Sequence, residues 1–219
     1  MKTFMYIIII IFLMVSNIYS QWVETESPYQ NGITDISFIN PNTGFASTAE
    51  INNSNKNYFL KTTNKGLNWV FVYEISSGDN RSSIDFINEF TGYFSQYYIL
   101  RKTTNGGANW FVTCQYNQFN TYPRVRFGDA NTGYFALSKF YTGEAGSGGI
   151  YLYRTTNGGY NWNVTSINGY FTNRNSRISD ISVSKSNPNL VAICGHQIVN
   201  GEYNSIYYSS DNGFATGNE

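Results

Sequence analysis

The chain has 219 residues, of which 41% are hydrophobic and 18% aromatic, with 14 basic and 14 acidic side chains and a formal net charge of zero. That apolar content supports a packed core and excludes a disordered chain, and basic residues scattered without a run or stripe exclude an electrostatic nucleic-acid surface. Abundant Tyr (19), Phe (16) and Gly (20), with only 13% charged residues, are the composition of strands and tight turns.

The N-terminus differs from everything after it. Lys2 precedes an uncharged run from Phe4 to Val15 containing five successive isoleucines, and Ser16-Asn17-Ile18-Tyr19-Ser20 follow. A basic start, an apolar stretch and a small residue at the cut site read as a signal peptide over residues 1–20, with the mature chain starting near Gln21. The run is shorter than the roughly 20 residues that a membrane span needs, so no stable span is expected after cleavage; an uncleaved anchor is the alternative. The expected location is secreted or in the cell envelope, periplasm or cell surface. No Cys follows the run, so lipid modification is not expected.

From residue 33 onward the sequence repeats, in units at roughly 33–72, 82–114, 123–166 and 178–219. Each unit opens on an aromatic signature: Phe38-Ile39-Asn40-Pro41-Asn42-Thr43-Gly44-Phe45, then Phe86 to Tyr93, then Phe127 to Tyr134, and more loosely Val183 to Leu190. Each then reaches a Thr-Thr-Asn-x-Gly-x-Asn-Trp loop, carried by Thr62, Asn64, Gly66 and Trp69, by Thr103, Asn105, Gly107 and Trp110, and by Thr155, Asn157, Gly159 and Trp162. A fourth copy begins at Ser209, Asp211 and Gly213, but Thr216 stands where Trp is expected. Within a unit the apolar period is two, broken by turns, which predicts four short antiparallel strands. The fold class expected is therefore all-β: a β-propeller of four-stranded antiparallel blades, about three and a half of them present.

The repeated loop reads as turn chemistry. Thr and Asn side chains cap backbone N–H groups, Gly66, Gly107 and Gly159 take positive φ, and Trp anchors the outgoing strand. Equivalent loops in every repeat favour a structural role over ligand contact. Cys114 and Cys194 fall in different repeats and read as unpaired, though an exported protein permits pairing. His196 is the only histidine and no Cys-x-x-Cys exists, so neither a metal nor another cofactor is expected.

These loops resemble the Asp-box, or bacterial neuraminidase repeat, with Asn64, Asn105 and Asn157 in place of the usual Asp and Asp211 retaining it. With the upstream signature, residues 33–214 resemble the Ycf48-like photosystem II assembly factor propellers, and also the sortilin-like and family 74 glycosidase propellers. The resemblance implies that the loop joins the third and fourth strands at the blade periphery, away from the central channel. Such propellers usually close with six or more blades, which implies that this chain is a fragment of a larger secreted bacterial protein, the alternative being that it closes in an unusual way.

Members of these families include hydrolases, receptors and assembly factors, so the site has to decide the activity. A sialidase needs an arginine triad; the early Arg-Ile-Pro element is missing, and Arg101 and Arg154 read as matching repeat positions with a strand role. A family 74 glycosidase needs two carboxylates flanking a cleft. Asp35, Asp85 and Asp180 each precede the signature by two to three residues, and Asp35 and Asp180 are the candidates, repeat-equivalent on the innermost predicted strand; the competing reading is that they begin a strand and cap its turn. The reading preferred is a non-catalytic binding or assembly scaffold whose ligand is a protein or a glycan. Contact loops are expected at residues 49–57, 116–122 and 141–149.

Overall fold

The computed structural model describes residues 25, 32–48, 56–76, 81–115, 121–139, 149–165, 177–199 and 202–210. Residues 1–20, Asp211, Gly213 and most of the three candidate contact loops lie outside the described residues. Every regular element described is a strand, and no helix among these residues is long and apolar enough to cross a membrane.

Blade 1 is the antiparallel sheet β1 (Ile33–Phe38), β2 (Gly44–Thr48), β3 (Lys56–Thr62) and β4 (Val70–Ser76). Blade 2 is β5 (Ser82–Phe86), β6 (Gly92–Gln96), β7 (Ile99–Thr103) and β8 (Phe111–Gln115). Blade 3 is β9 (Thr121–Phe127), β10 (Gly133–Lys139), β11 (Gly149–Thr155) and β12 (Asn163–Thr165), and blade 4 has three strands, β13 (Arg177–Val183), β14 (Val191–Val199) and β15 (Glu202–Ser210). The first strands pack on one another in turn, β1 on β5, β5 on β9 and β9 on β13, while β4, β8 and β12 lie at the opposite sheet edges. First strands therefore line an axis and fourth strands form a rim, which is the arrangement of a β-propeller.

No blade buries both faces alone. One apolar cluster between blades 1 and 2 contains Phe45, Phe59, Ile84, Phe86 and Phe94; the next, between blades 2 and 3, contains Tyr93, Leu100, Phe127, Phe135 and Tyr153; the last joins Tyr134 and Leu152 to Ile181 and Ile193 of blade 4. Across each of the first two joints, the aromatic ending one signature stacks on the phenylalanine opening the next. Phe45 lies on Phe86 at 3.5 Å between centroids, and Tyr93 on Phe127 at 3.8 Å. The phenylalanine's other face covers the signature glycine of its own blade, where a Cβ on Gly92 or Gly133 would sit 2.6 or 2.5 Å from the ring. The Thr-Gly-aromatic spacing thus follows from packing, and alanine there would overpack the core.

In blades 1 to 3 that glycine pairs across the sheet with the first loop threonine: Gly44 with Thr62, Gly92 with Thr103, Gly133 with Thr155. In blade 4 the corresponding Val191 pairs with Ser210, so Ser210 rather than Ser209 occupies the threonine's place in the ladder. Cys114 and Cys194 are both free thiols, and burial pushes the Cys114 thiol up to about 11.

Candidate functional site

The three complete rim loops are superimposable in their hydrogen bonding. Each threonine Oγ1 accepts from the glycine N–H four residues on, at 3.0 Å for Gly66, 3.0 Å for Gly107 and 2.9 Å for Gly159, and donates to the asparagine Oδ1 two residues on. That Oδ1 also accepts from the N–H of Asn68, Asn109 or Asn161. The glycines sit at φ +85°, +92° and +80°, in the left-handed region where a side chain is strained. The residue before each glycine donates its N–H to the signature turn of the same blade, Lys65 to Asn42, Gly106 to Phe90 and Gly158 to Asn131. Thr103→Val strands the buried Gly107 N–H and should lower the urea midpoint by the equivalent of about 1–3 kcal/mol; an unchanged midpoint would show the hydroxyl to be dispensable.

Trp110 and Trp162 pack inward between blades, whereas Trp69 meets Phe38 of its own blade edge-on. Trp110 stacks on Phe59 of blade 1 and meets Phe86 edge-on, and Trp162 meets Phe127 and Phe135. Trp162 Nε1 donates to Thr113 Oγ1 and to the Gly159 carbonyl, whereas the buried Nε1 of Trp110 has no partner because Val72 stands where blade 2 has Thr113. Val72→Thr should therefore stabilise the protein by about 0.5–1.5 kcal/mol in thermal or urea unfolding.

Arg101 and Arg154 are not equivalent. Arg154 pairs with Tyr134, as Lys102 pairs with Tyr93 and Lys61 with Phe45, while Arg101 pairs with Phe94. The offset is a single residue, which in a strand reverses the face. Arg154 bonds Asn189 of blade 4, and Lys102 bonds the Gly158 carbonyl of blade 3 at 2.7 Å while lying over the rings of Tyr93 and Tyr160.

The chemistry-bearing cluster lies at the axis. Each first strand has one open edge of backbone N–H groups, and in blades 2 and 3 side chains of the preceding blade cap it. Asp35 Oδ2 accepts from Ile84 N–H at 3.0 Å and Ser37 Oγ from Phe86 N–H at 3.0 Å; Ser83 Oγ accepts from Val125 N–H and Asp85 Oδ2 from Phe127 N–H at 2.6 Å. In blade 3 the same two positions are Arg124 and Arg126, which donate and cannot cap. Arg124 bonds the Ser179 carbonyl, and Arg126 turns back across the axis to grip both oxygens of Asp35 at 2.9 and 3.2 Å. Its guanidinium also lies 3.6 Å from Asp180.

The structure therefore brings Asp35 and Asp180 together around one arginine, in unequal settings: their side chains are 15% and 57% exposed. Asp35 accepts from Ile36 N–H, Ser83 Oγ, Ile84 N–H and twice from Arg126, so its acceptor capacity is taken by the fold. Burial alone would lower the pKa of Arg126, but hydrogen bonding and charge from Asp35, with the charges of Asp180 and Asp85, more than offset this and hold it ionised. Sequence reasoning missed Ser37, Ser83 and Arg126. The signal was an alternation of polar residues on the first strands: Asp35 and Ser37, Ser83 and Asp85, Arg124 and Arg126, Asp180 and Ser182.

Asp85 is buried, and desolvation raises its pKa, with Lys185, the Phe127 N–H, Arg126 and Ser37 opposing. An aspartate in the unfolded chain titrates near about 3.9. The folded chain binds this proton more tightly, so stability falls as pH rises from that value through the raised one. Asp85→Asn should flatten this fall in urea midpoints measured above about pH 4; a slope equal to that of the parent would contradict the assignment. Among the described residues no cluster of His, Cys, Asp and Glu is arranged to hold a metal ion.

No family model and no curated protein sequence matches the chain. Solved structures do share its fold. A GH74 enzyme of Niastella koreensis is 16% identical with a TM-score of 0.56, over 80% of this chain and 30% of its own. YCF48 bound to a D1 peptide is 16% identical with a TM-score of 0.54, over 88% and 58%. The GH74 xyloglucanase of Xanthomonas campestris is 12% identical with a TM-score of 0.57, over 81% and 29%. The chain thus spans between 29% and 58% of the length of these proteins, and they share its β-propeller fold.

Proposed function

We propose that this is an exported, non-catalytic β-propeller of the Asp-box type, Ycf48-like or sortilin-like, which acts as a binding or assembly scaffold for a protein ligand. The observation that carries the reading is the engagement of Asp35. Of the two carboxylates that could form a glycosidase pair, it is held by five hydrogen bonds, three of them to other side chains. A carboxylate whose oxygens are already taken by the fold is not free to reach a substrate, and a general acid or base must lie within hydrogen-bond reach of the reacting atom. The peptide complex of YCF48 makes a protein segment the ligand class to test first. Export rests on the N-terminal reading of residues 1–20.

The test has two arms run on the chain from Gln21 onward. Pull-down from envelope extract and a glycan array are compared, and turnover of β-glucan and sialoside substrates is assayed. Saturable binding of a polypeptide without turnover is the result expected. Turnover that disappears in Asp35→Asn would overturn the non-catalytic reading, and binding confined to the array would replace a protein ligand by a sugar.

A further inference from the structure

Hydrogen bonding within the rim loops accounts for the first threonine, the Oδ1 of the first asparagine and the glycine of each motif, and packing accounts for the tryptophan. Other polar side chains of the motif are not used in this way. The second threonines, Thr63, Thr104 and Thr156, and the asparagines ahead of tryptophan, Asn68, Asn109 and Asn161, are exposed and form no side-chain hydrogen bond among the described residues. The first asparagines accept through Oδ1 and leave the Nδ2 hydrogens to solvent. The same hydroxyl and amide groups thus recur in three blades without a use in the fold.

Blade 3 adds an aromatic ring to them. Tyr160 stands where blades 1 and 2 have Leu67 and Ala108, and at 74% it is more exposed than any other large hydrophobic residue described. The backbone leading to it is held on every side. Gly158 N–H donates to the Asn131 carbonyl and Gly159 N–H to Thr155 Oγ1; the Gly158 carbonyl accepts from Lys102 Nζ and Tyr93 Oη, and the Gly159 carbonyl from Trp162 Nε1 and Thr113 Oγ1. In blade 2 the carbonyls of Gly106 and Gly107 accept no hydrogen bond among the described residues. Lys102 Nζ also lies 4.4 Å from the centroid of Tyr160, so one face of the ring rests on an ammonium and the other is open.

The surface so presented is neutral. Thr155 to Trp162 carry no charge, the Lys102 side chain is buried, and Asp129 in the adjoining turn has Oδ1 engaged by the N–H groups of Asn131 and Thr132. An aromatic anchor of a protein interface sits among contacts that exclude water, whereas the loop around this ring offers amides and a hydroxyl. A pyranose matches that arrangement: its C–H face suits the ring, and the hydroxyls at its edge suit carboxamide and threonine groups that donate and accept. A platform fixed before binding also lowers the ordering cost. We propose that the rim loop of blade 3 is a site for a neutral oligosaccharide, which stacks on the open face of Tyr160 and hydrogen-bonds to Thr156 Oγ1, Asn157 Nδ2 and the Asn161 carboxamide. This contact is additional to the protein ligand and stands or falls separately from it.

The chain from Gln21 onward is applied to an array of neutral gluco-, xylo-, manno- and N-acetylglucosamine oligosaccharides, and the dissociation constant for the bound series is measured by calorimetry. Tyr160→Ala should weaken binding about tenfold, the upper end of what one ring contact supplies. Tyr160→Trp should stay close to the parent, and Leu67→Ala, at the matching position of blade 1, should have no effect. Asn157→Asp keeps the acceptor that the loop needs and removes the Nδ2 donors, so a loss of about fivefold at an unchanged urea midpoint is expected. An array on which no neutral glycan binds overturns the proposal, as does binding that Tyr160→Ala leaves intact. Capture of polypeptide from envelope extract should be equal for Tyr160→Ala and the parent. Capture lost in that variant, with a silent array, would assign the ring to the protein ligand and overturn the sugar contact. Array binding lost in Tyr160→Ala where no polypeptide is captured would support this site and overturn the protein-ligand reading.

Discussion

Replacing Arg126 with methionine is expected to lower the unfolding free energy by about 3 kcal/mol, close to the cost of stranding one partner of a largely buried ion pair. The guanidinium is the only cation within 4 Å of Asp35 among the described residues, and it also bonds Ser83 Oγ and the carbonyls of Ile84 and Val125. Adding Asp35→Asn to Arg126→Met should recover part of the loss, because the amide carries no charge and can still accept from Ile84 N–H. A double-mutant cycle in urea measures this directly. If the double variant were as unstable as the sum of the singles, charge pairing would not be what Arg126 supplies.

Phe127→Ala should cost about 3–5 kcal/mol, the range for removing a fully buried aromatic. Phe127 is 0% exposed, stacked on Tyr93, edge-on to Trp162 and seated on Gly133. The repeat supplies an internal control. Phe38 has the same place in its unit but lies on the open face of blade 1, so Phe38→Ala should cost well under half as much. Equal losses in calorimetric or urea unfolding would mean that blade 1 is covered in solution by something that buries Phe38 as Tyr93 buries Phe127.

The rim loops were legible because every bond in them is local. Thr103, Asn105 and Gly107 lie within five residues, and side-chain oxygens reaching N–H groups two to four positions away follow from residue type and spacing. The axial cluster was half legible. Asp35 and Asp180 stood out as equivalent acids, yet the arginine that gathers them did not, because Arg126 is 91 residues from Asp35 and in the repeat replaces a serine and an acid. Arg101 and Arg154 went astray for a related reason, since one residue of offset along a strand exchanges a side chain facing the next blade for one facing the previous blade.

By itself the sequence determined the strands, their turns and the need for a neighbouring blade, since alternation, Gly and Asn placement and Trp anchors act over a few residues and recur. Only the tertiary structure decided which polar groups meet. The caps on the first-strand edges of blades 2 and 3 come from the preceding blade, 42 to 49 residues away, and whether an acid there is free for chemistry or consumed by backbone N–H groups depends on which residue the next blade presents. Asp35 meets Ser83, Ile84 and Arg126 and becomes part of the joint, while Asp180, equivalent in sequence, has Arg126 alone among the described residues and stays largely exposed.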